Sequence, residues 1–448
     1  MLSVKDAEAR AADLVERAVR AGADSADALY MGDSSTGIQV RLGALEDVER
    51  SEGEEIGLRF FLGRRSASVS SSDLSEEAMA ALIERAGAMA REAPEDAFAG
   101  LAPEDRLMRG PGPDLEGDDG ADPDPTELKA RALAIEESAR AVAGITNSEG
   151  AGVGSGRSSM ALATSHGFCR GYSSSGYNAG ASVIAGEGAS MQRDHASHHV
   201  RHYADLDAPE AIGRLAGERA VARLDPARLP SGAMPILFDP RVGSSLIGHF
   251  LSAITGPSIA RKTSFLLGKE GDAIFAPGIT IRDDPHRRRG LRSKPFDAEG
   301  LPTEARNLVE QGRLTGWLLD SASARQLGRE PTGHATRGSG GAPGAGATNV
   351  HVEPGTLSRD ALIRETGRGL YVTELIGQGV NPVTGDYSRG ASGFLIEDGE
   401  IGPPVAEITI AGNLLDMFLT LAAADDLEFR RSVNVPTLRI EGMTVAGA

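Results

Sequence analysis

Cysteine is almost missing from this sequence of 448 residues: Cys169 is the only one. A single thiol builds neither a disulfide framework nor a thiolate zinc cage, and such sparing use fits a reducing, cytoplasmic setting. Beyond His166, nothing near Cys169 reads as an arrangement that would activate it as a nucleophile. Aromatic residues are scarce at 4%, and positive charge is outnumbered, 46 Lys and Arg against 64 Asp and Glu, for a formal net charge of −18. A surface this acidic repels phosphate backbones, so direct nucleic-acid binding is not expected. The basic run His286-Arg287-Arg288-Arg289 is a local exception and reads as a solvated loop rather than a phosphate site. No run approaches the roughly 18 apolar residues of a membrane span. Residues 1–8 lack the apolar stretch of a secretory signal.

Glycine, by contrast, is plentiful at 57 residues. Many glycines with few aromatics point to frequent turns and close backbone approaches. The length implies more than one core. The expected fold class is α+β: an N-terminal helix-and-sheet domain over 1–225, then a mostly antiparallel β domain over 226–448. Ala7, Ala11, Leu14, Val15 and Ala18 share one face of a helix over 3–21, with Ser3 as its cap. Further helices are expected over 73–91, 126–143 and 207–224. Strands are expected over 26–30, 37–42, 56–62 and 66–71, with a run of short Gly- and Ser-rich strands over 145–185. Residues 102–125 mix prolines, glycines and acidic side chains; little there can be buried, which predicts a flexible insert. After residue 226 come a short buried strand over 236–238, a helix over 241–254, and strands with two hairpins that turn at Gln311-Gly312 and Asp398-Gly399.

Several constellations could carry chemistry. The helix over 241–254 presents Ser244, Ser245 and a lone histidine, His249, on an otherwise apolar element. A helical zinc peptidase needs a second histidine one turn earlier and a glutamate base; serine hydroxyls supply neither. His195, His198, His199 and His202 would share one face of a helix and could then hold a metal; as a strand the same segment sends His198 and His199 to opposite faces. The glycine-rich runs at 152–156 and 338–346 lack Rossmann or P-loop spacing; the second reads as a loop before a strand, or as a backbone-lined rim beside a peptide groove. The densest stretch, 374–394, holds Asp386, Ser388 and Arg389 on a glycine-rich scaffold.

Within that stretch, Gly385-Asp386-Tyr387-Ser388-Arg389-Gly390-Ala391-Ser392-Gly393-Phe394 resembles the signature of the TldD/PmbA family. So do Arg261-Lys262-Thr263-Ser264-Phe265-Leu266, Ser293-Lys294-Pro295-Phe296-Asp297-Ala298-Glu299-Gly300, and Glu407-Ile408-Thr409-Ile410-Ala411-Gly412-Asn413-Leu414. The matches run in order over nearly the whole chain and are densest after residue 230. The resemblance implies a two-chain peptidase. Its TldD kind carries a His-Glu-x-x-x-His helix and a late cysteine that hold zinc; its PmbA kind, also called TldE, lacks them. This sequence resembles the PmbA kind: Ser244, Ser245 and His249 stand at the zinc-helix positions, and no cysteine occurs after Cys169. The resemblance further implies no catalytic residue and no metal in this chain, zinc in a TldD-like partner, and short or unfolded peptides as substrate. Peptide-antibiotic maturation and antitoxin turnover are known settings, and the family was also named as a modulator of DNA gyrase. His249, Asp386, Tyr387, Ser388, Arg389 and Gly390 become the candidate cleft or subunit interface. Two other readings remain open: a non-enzymatic homodimeric adaptor for peptides or proteins, and a peptidase with a different metal site built on the histidine cluster.

Overall fold

The computed structural model describes residues 1–447. Its first half is a six-stranded antiparallel sheet in the order β3-β2-β1-β4-β5-β6, formed by β1 (Ser25–Arg41), β2 (Ala44–Leu62), β3 (Arg65–Ser71), β4 (Ile145–Thr164), β5 (Cys169–Ala185) and β6 (Gln192–Val200). Helices α1 (Val4–Arg20), α2 (Glu76–Glu92), α3 (Pro125–Arg140) and α4 (Pro209–Ala222) cover one face. Alternation shows why one face suffices. Ala26, Ala28 and Tyr30 of β1 join the core under α1 and α2, while Ile38 and Val40, of the same parity, join the core under α3 and α4. Ser3 caps α1 and Ser75 caps α2 through side-chain oxygens that accept from the N–H three residues on.

The strands are longer than the sequence pattern implies. Residues 26–30 and 37–41 belong to one strand, with Leu42 in the turn that follows it, and the expected run of short strands over 145–185 is two long ones. The turn-like residues 31–37 stay extended because β2 and β4 pair with them from both sides. Ladder pairing overrides local propensity here.

The second half starts with β7 (Gly232–Phe238), which runs straight into α5 (Pro240–Ala253). β7 lies between a parallel neighbour, Gly369–Ile376, and an antiparallel one, Leu438–Ala446. Strands Asp386–Glu397 and Glu400–Asn413 extend the sheet, and Thr409 to Ala411 pair back onto Thr444 to Ala446, closing it on itself. The core beneath is centred on Phe238, Phe250, Phe275 and Phe418, with the last two rings stacked at 4.4 Å. Both expected hairpins turn through two residues of positive φ: Gln311 and Gly312 at 48° and 83°, Asp398 and Gly399 at 53° and 76°.

Two expectations need correction. Segment 102–125, expected to bury little, buries Ala102, Met108 and Leu115, and its Asp119 accepts from the Tyr177 hydroxyl at 2.6 Å. Nor is the basic run a solvated loop. Arg289 donates to Glu116 at 2.7 Å and to Asp205 at 3.0 Å, Arg288 pairs with Glu116, and Arg287 lies 3.3 Å over the Phe429 ring. The acidic segment and the basic run answer each other's charge.

The halves are joined by buried polar contacts. Asp27 of β1 takes Arg59 from β2 and, at 2.7 Å, Arg337 from the second half. Burial alone would raise the Asp27 carboxyl; the Arg337 and Arg59 guanidiniums outweigh it and hold the group below the usual range. Arg325 donates to three backbone carbonyls, those of Phe98, Gly100 and Leu101. The glycine-rich loop 338–346 docks on the first sheet, where Ser339 donates to Glu55 and its carbonyl sits where a Cβ on Gly57 would be.

Candidate functional site

Helix α5 begins at its cap Asp239, whose carboxylate accepts from Arg241 N at 2.9 Å. Leu246, Ile247, Phe250 and Leu251 commit one side to the core, leaving Ser244, Ser245, Gly248 and His249 as a half-buried stripe. No atom lies within 4 Å of where a Cβ on Gly248 would sit, so the stripe faces open space there.

Strand Asp386–Glu397 supplies the facing wall. Tyr387 and Arg389 point toward α5 and are buried, while Asp386 and Ser388 point away and are exposed. Arg389 donates to Ser245 Oγ at 3.4 Å, and the Tyr387 ring meets the His249 ring edge-on at 6.2 Å. Burial, reinforced by the neighbouring Arg389 charge, lowers the His249 pKa, so its ring stays neutral at pH 7. Burial pushes the Tyr387 phenol up to about 12. Among the described residues, His249 Nε2, Tyr387 Oη and Arg389 Nε are buried without a hydrogen-bond partner. Leaving such groups unmet costs about 1–3 kcal/mol each. Three together mark this wall as a place where another polar molecule can be recognised.

Of the candidate residues, the structure therefore brings Ser245, His249, Tyr387 and Arg389 together. Asp386 serves another end: it accepts from Thr384 Oγ1 at 2.6 Å and from Asn413 Nδ2 at 3.3 Å, fixing the turn before its strand. Ser388 lies on that same outer face, and its backbone carbonyl is approached so closely by Gly379 that a side chain on Gly379 would overlap it.

The histidine cluster runs as β6, so its members separate. His195 and His199 face a cleft, and His198 is turned inward, where its Nδ1 accepts from Asp207 N at 3.2 Å. His202 lies past the strand and donates to the Glu116 carbonyl at 2.9 Å. That cleft, about 1040 Å³, opens between β6 and α4 on one side and the first turns of α5 on the other, and Ser244 and Ser245 also line it. It thus joins two constellations that are separate in the sequence. Arg219, Arg241, Arg359, Arg430 and Arg431 line it as well, and sequence reasoning missed all of them. They come from four distant segments with no local motif. Cys169 is exposed at the start of β5, and partial desolvation with the Glu8 carboxylate pushes its thiol up, away from nucleophile chemistry.

The residues of this wall do not suit a metal. His249 Nε2 is an unengaged imidazole nitrogen, but its neighbours are hydroxyls, a high-pKa phenol and a guanidinium. The Ser245 hydroxyl already donates to the Val242 carbonyl at 2.7 Å. A cation beside the Arg389 charge, with one nitrogen ligand and no carboxylate, has no coordination set. Among the described residues no group of three His, Cys, Asp or Glu is placed to hold one. Among the described residues, no helix is long and apolar enough to cross a membrane.

Comparison with known proteins matches three successive stretches to family domains. Residues 26–90 match PmbA/TldA metallopeptidase domain 1, residues 118–224 its central domain, and residues 231–447 its C-terminal domain. Metalloprotease PmbA of Escherichia coli O157:H7 is 39% identical over 417 residues, 92% of this chain and 90% of that one. Metalloprotease PmbA homolog of Haemophilus influenzae is 39% identical over 97% of this chain and 94% of its own. The crystal structure of a putative modulator of DNA gyrase from Bacteroides thetaiotaomicron superposes with a TM-score of 0.92 at 27% identity, each chain covered in full. TldE from Thermococcus kodakarensis superposes with a TM-score of 0.87 at 24% identity, over 97% of this chain and 99% of that one, and shows the shared fold.

Proposed function

Because the chain belongs to the PmbA/TldD metallopeptidase family, on its PmbA/TldE side, we propose that it is the metal-free subunit of a two-chain peptidase and that a TldD-like partner carries the zinc. The observation that carries this reading is the chemistry of the α5 stripe. Where a helical zinc peptidase sets two imidazoles and a carboxylate base, this chain sets Ser244, Ser245 and His249 beside Arg389. A hydroxyl already bonded to its own helix deprotonates no water.

Such a subunit contributes surface. The stripe of α5 and the strand bearing Tyr387 and Arg389 form a wall with unmet polar groups, suited to closing a partner's cleft and excluding water from it. Exposed strand edges, β6 among them, can pair with an extended peptide through main-chain hydrogen bonds, which tolerates many sequences. In this reading the substrates are short or unfolded peptides, and the assembly works in the cytoplasm.

The test is a peptidase assay on an unstructured peptide, run on this chain alone, on the TldD-like chain, and on the mixture, each with and without chelator. The expected result is hydrolysis only where the TldD-like chain is present, stimulated by this chain and abolished by chelator. Chelator-sensitive hydrolysis by this chain alone, with stoichiometric zinc in the purified protein, overturns the reading. Replacing Arg389 by Ala is expected to lower the stimulated rate by about tenfold, the scale of removing one positioned charge-assisted hydrogen bond. Pairing and proteolysis both unchanged in that variant would place the subunit interface elsewhere.

A further inference from the structure

The molecule is strongly acidic overall, but the cleft between β6 and α5 is not. Five arginines line it, and two are committed: Arg241 to Asp194 at 2.7 Å, and Arg430 to Asp207 and Glu428. The other three, Arg219, Arg359 and Arg431, have no carboxylate within ion-pair distance among the described residues. Arg219 donates to the His195 carbonyl at 3.2 Å, and Arg359 lies 5.0 Å over the Tyr371 ring.

The carboxylates in the cleft are all engaged. Asp207 and Glu428 hold Arg430. Asp239 caps α5 and accepts from the Tyr371 hydroxyl at 3.0 Å, and Asp426 accepts from Thr437 N and Oγ1 at 2.8 and 2.7 Å. Five arginines face four carboxylates in the lining, and the guanidiniums of Arg219, Arg359 and Arg431 are left without a carboxylate in direct contact among the described residues. Burial and the neighbouring Arg241 lower the Arg219 pKa, with Asp239 opposing, and an incoming anion would favour its charged form.

One wall is a strand edge. β6 ends the first sheet and pairs only with β5 among the described residues. The His195 carbonyl points out of the sheet toward Arg219. By the alternation of an antiparallel ladder, the backbones of Ser197 and His199 face the same way. The cleft therefore offers main-chain pairing along β6 and planar cations near its His195 end. Planar guanidinium groups match a carboxylate in two-point geometry.

We propose that this cleft binds the C-terminal carboxylate of an extended peptide, with Arg219 and Arg431 on the carboxylate and the chain laid along β6. The peptide identity of the ligand rests on the functional reading above. The site needs neither a partner nor a metal, so it is tested on this chain alone.

The experiment is isothermal titration of the full chain with three probes: an N-acetylated peptide of about six small residues bearing a free C-terminal carboxylate, the same peptide as its C-terminal amide, and inorganic phosphate. The free acid is expected to bind at least about tenfold more tightly than the amide, as a two-point charge-assisted pair requires. Arg431→Gln, at an exposed position, is expected to remove most of that difference, as is Arg219→Gln. Arg20→Gln, on the far surface, is expected to leave it in place. Circular dichroism of each variant separates lost binding from lost fold. Equal binding of acid and amide, or binding of neither, overturns the proposal. Phosphate binding without preference for the peptide acid assigns the cleft to inorganic anions and also overturns it. Either failure leaves the zinc-free subunit reading standing, because that reading is decided by chelator and partner dependence.

Discussion

At the scale of single residues, the informative group is His249. Its ring is half-buried, edge-on to Tyr387 and near a guanidinium, and both burial and Arg389 oppose its protonation. A histidine whose folded pKa lies below its unfolded value stays neutral through neutral pH, and its protonation opposes folding only as pH falls below the unfolded value near 6.5. NMR titration of the labelled imidazoles is expected to show His249 changing state at a lower pH than a free imidazole. Arg389→Gln moves that transition up, but only partway, because burial is the larger cause. An ordinary midpoint for His249, unmoved by Arg389→Gln, would mean that this wall is open to water. The residue identities here are legible in the sequence: Ser244 and Ser245 stand about one helical turn before His249, and Arg389 lies in a glycine-rich motif. Their contact is not legible, because 144 residues separate Ser245 from Arg389. Nor does the sequence alone show that strand alternation sends Asp386 to the opposite face.

At the scale of elements, local signals served where the structure is local. Ser3 and Ser75 cap helices through hydrogen bonds a few residues away, and the Gln311-Gly312 and Asp398-Gly399 turns need only their own backbone angles. Local signals misled where pairing decides. The glycines and serines in the middle of β1, β4 and β5 look like strand breaks, yet each segment is held by ladders to its neighbours. Gly57 shows what one glycine of this sheet is for. The loop carrying Ser339 lies on β2 so closely that a Cβ at Gly57 would overlap the Ser339 carbonyl, whereas a Cβ at Gly37 of β1 meets nothing within 4 Å. Gly57→Ala is therefore expected to cost about 1–3 kcal/mol, read by urea denaturation, and to expose the 338–346 loop to protease. Gly37→Ala is expected to be near neutral. Equal behaviour of the two variants would show that the loop yields without cost.

At the scale of the whole molecule, the two cores are held together by arginines of one half set on acids or carbonyls of the other: Arg337 on Asp27, Arg325 on the 98–101 backbone, Arg241 on Asp194. Removing one partner of such a buried pair costs about 3–5 kcal/mol, since the other is left charged and unmatched. Beside this join lies an acid of the Ser293 to Gly300 motif whose burial no local pattern shows. Glu299 is almost fully buried, accepts from Ser321 N at 2.8 Å, and is pushed up to about 7 by burial first and by the Asp297 charge second, with Arg59 opposing both. A carboxyl whose folded pKa exceeds its unfolded value near 4.5 binds more protons folded than unfolded between those two values. Its contribution to stability is fully present below the unfolded value and is lost as pH rises through about 7. The melting temperature of the isolated chain is therefore expected to fall by several degrees between about pH 5 and pH 8. Glu299→Gln keeps an oxygen for Ser321 N and carries no charge to bury, so it is expected to flatten that slope and to raise the melting temperature at high pH. A slope identical in the variant would mean that Glu299 ionises freely where it sits, and that the pH sensitivity of the join lies with other groups.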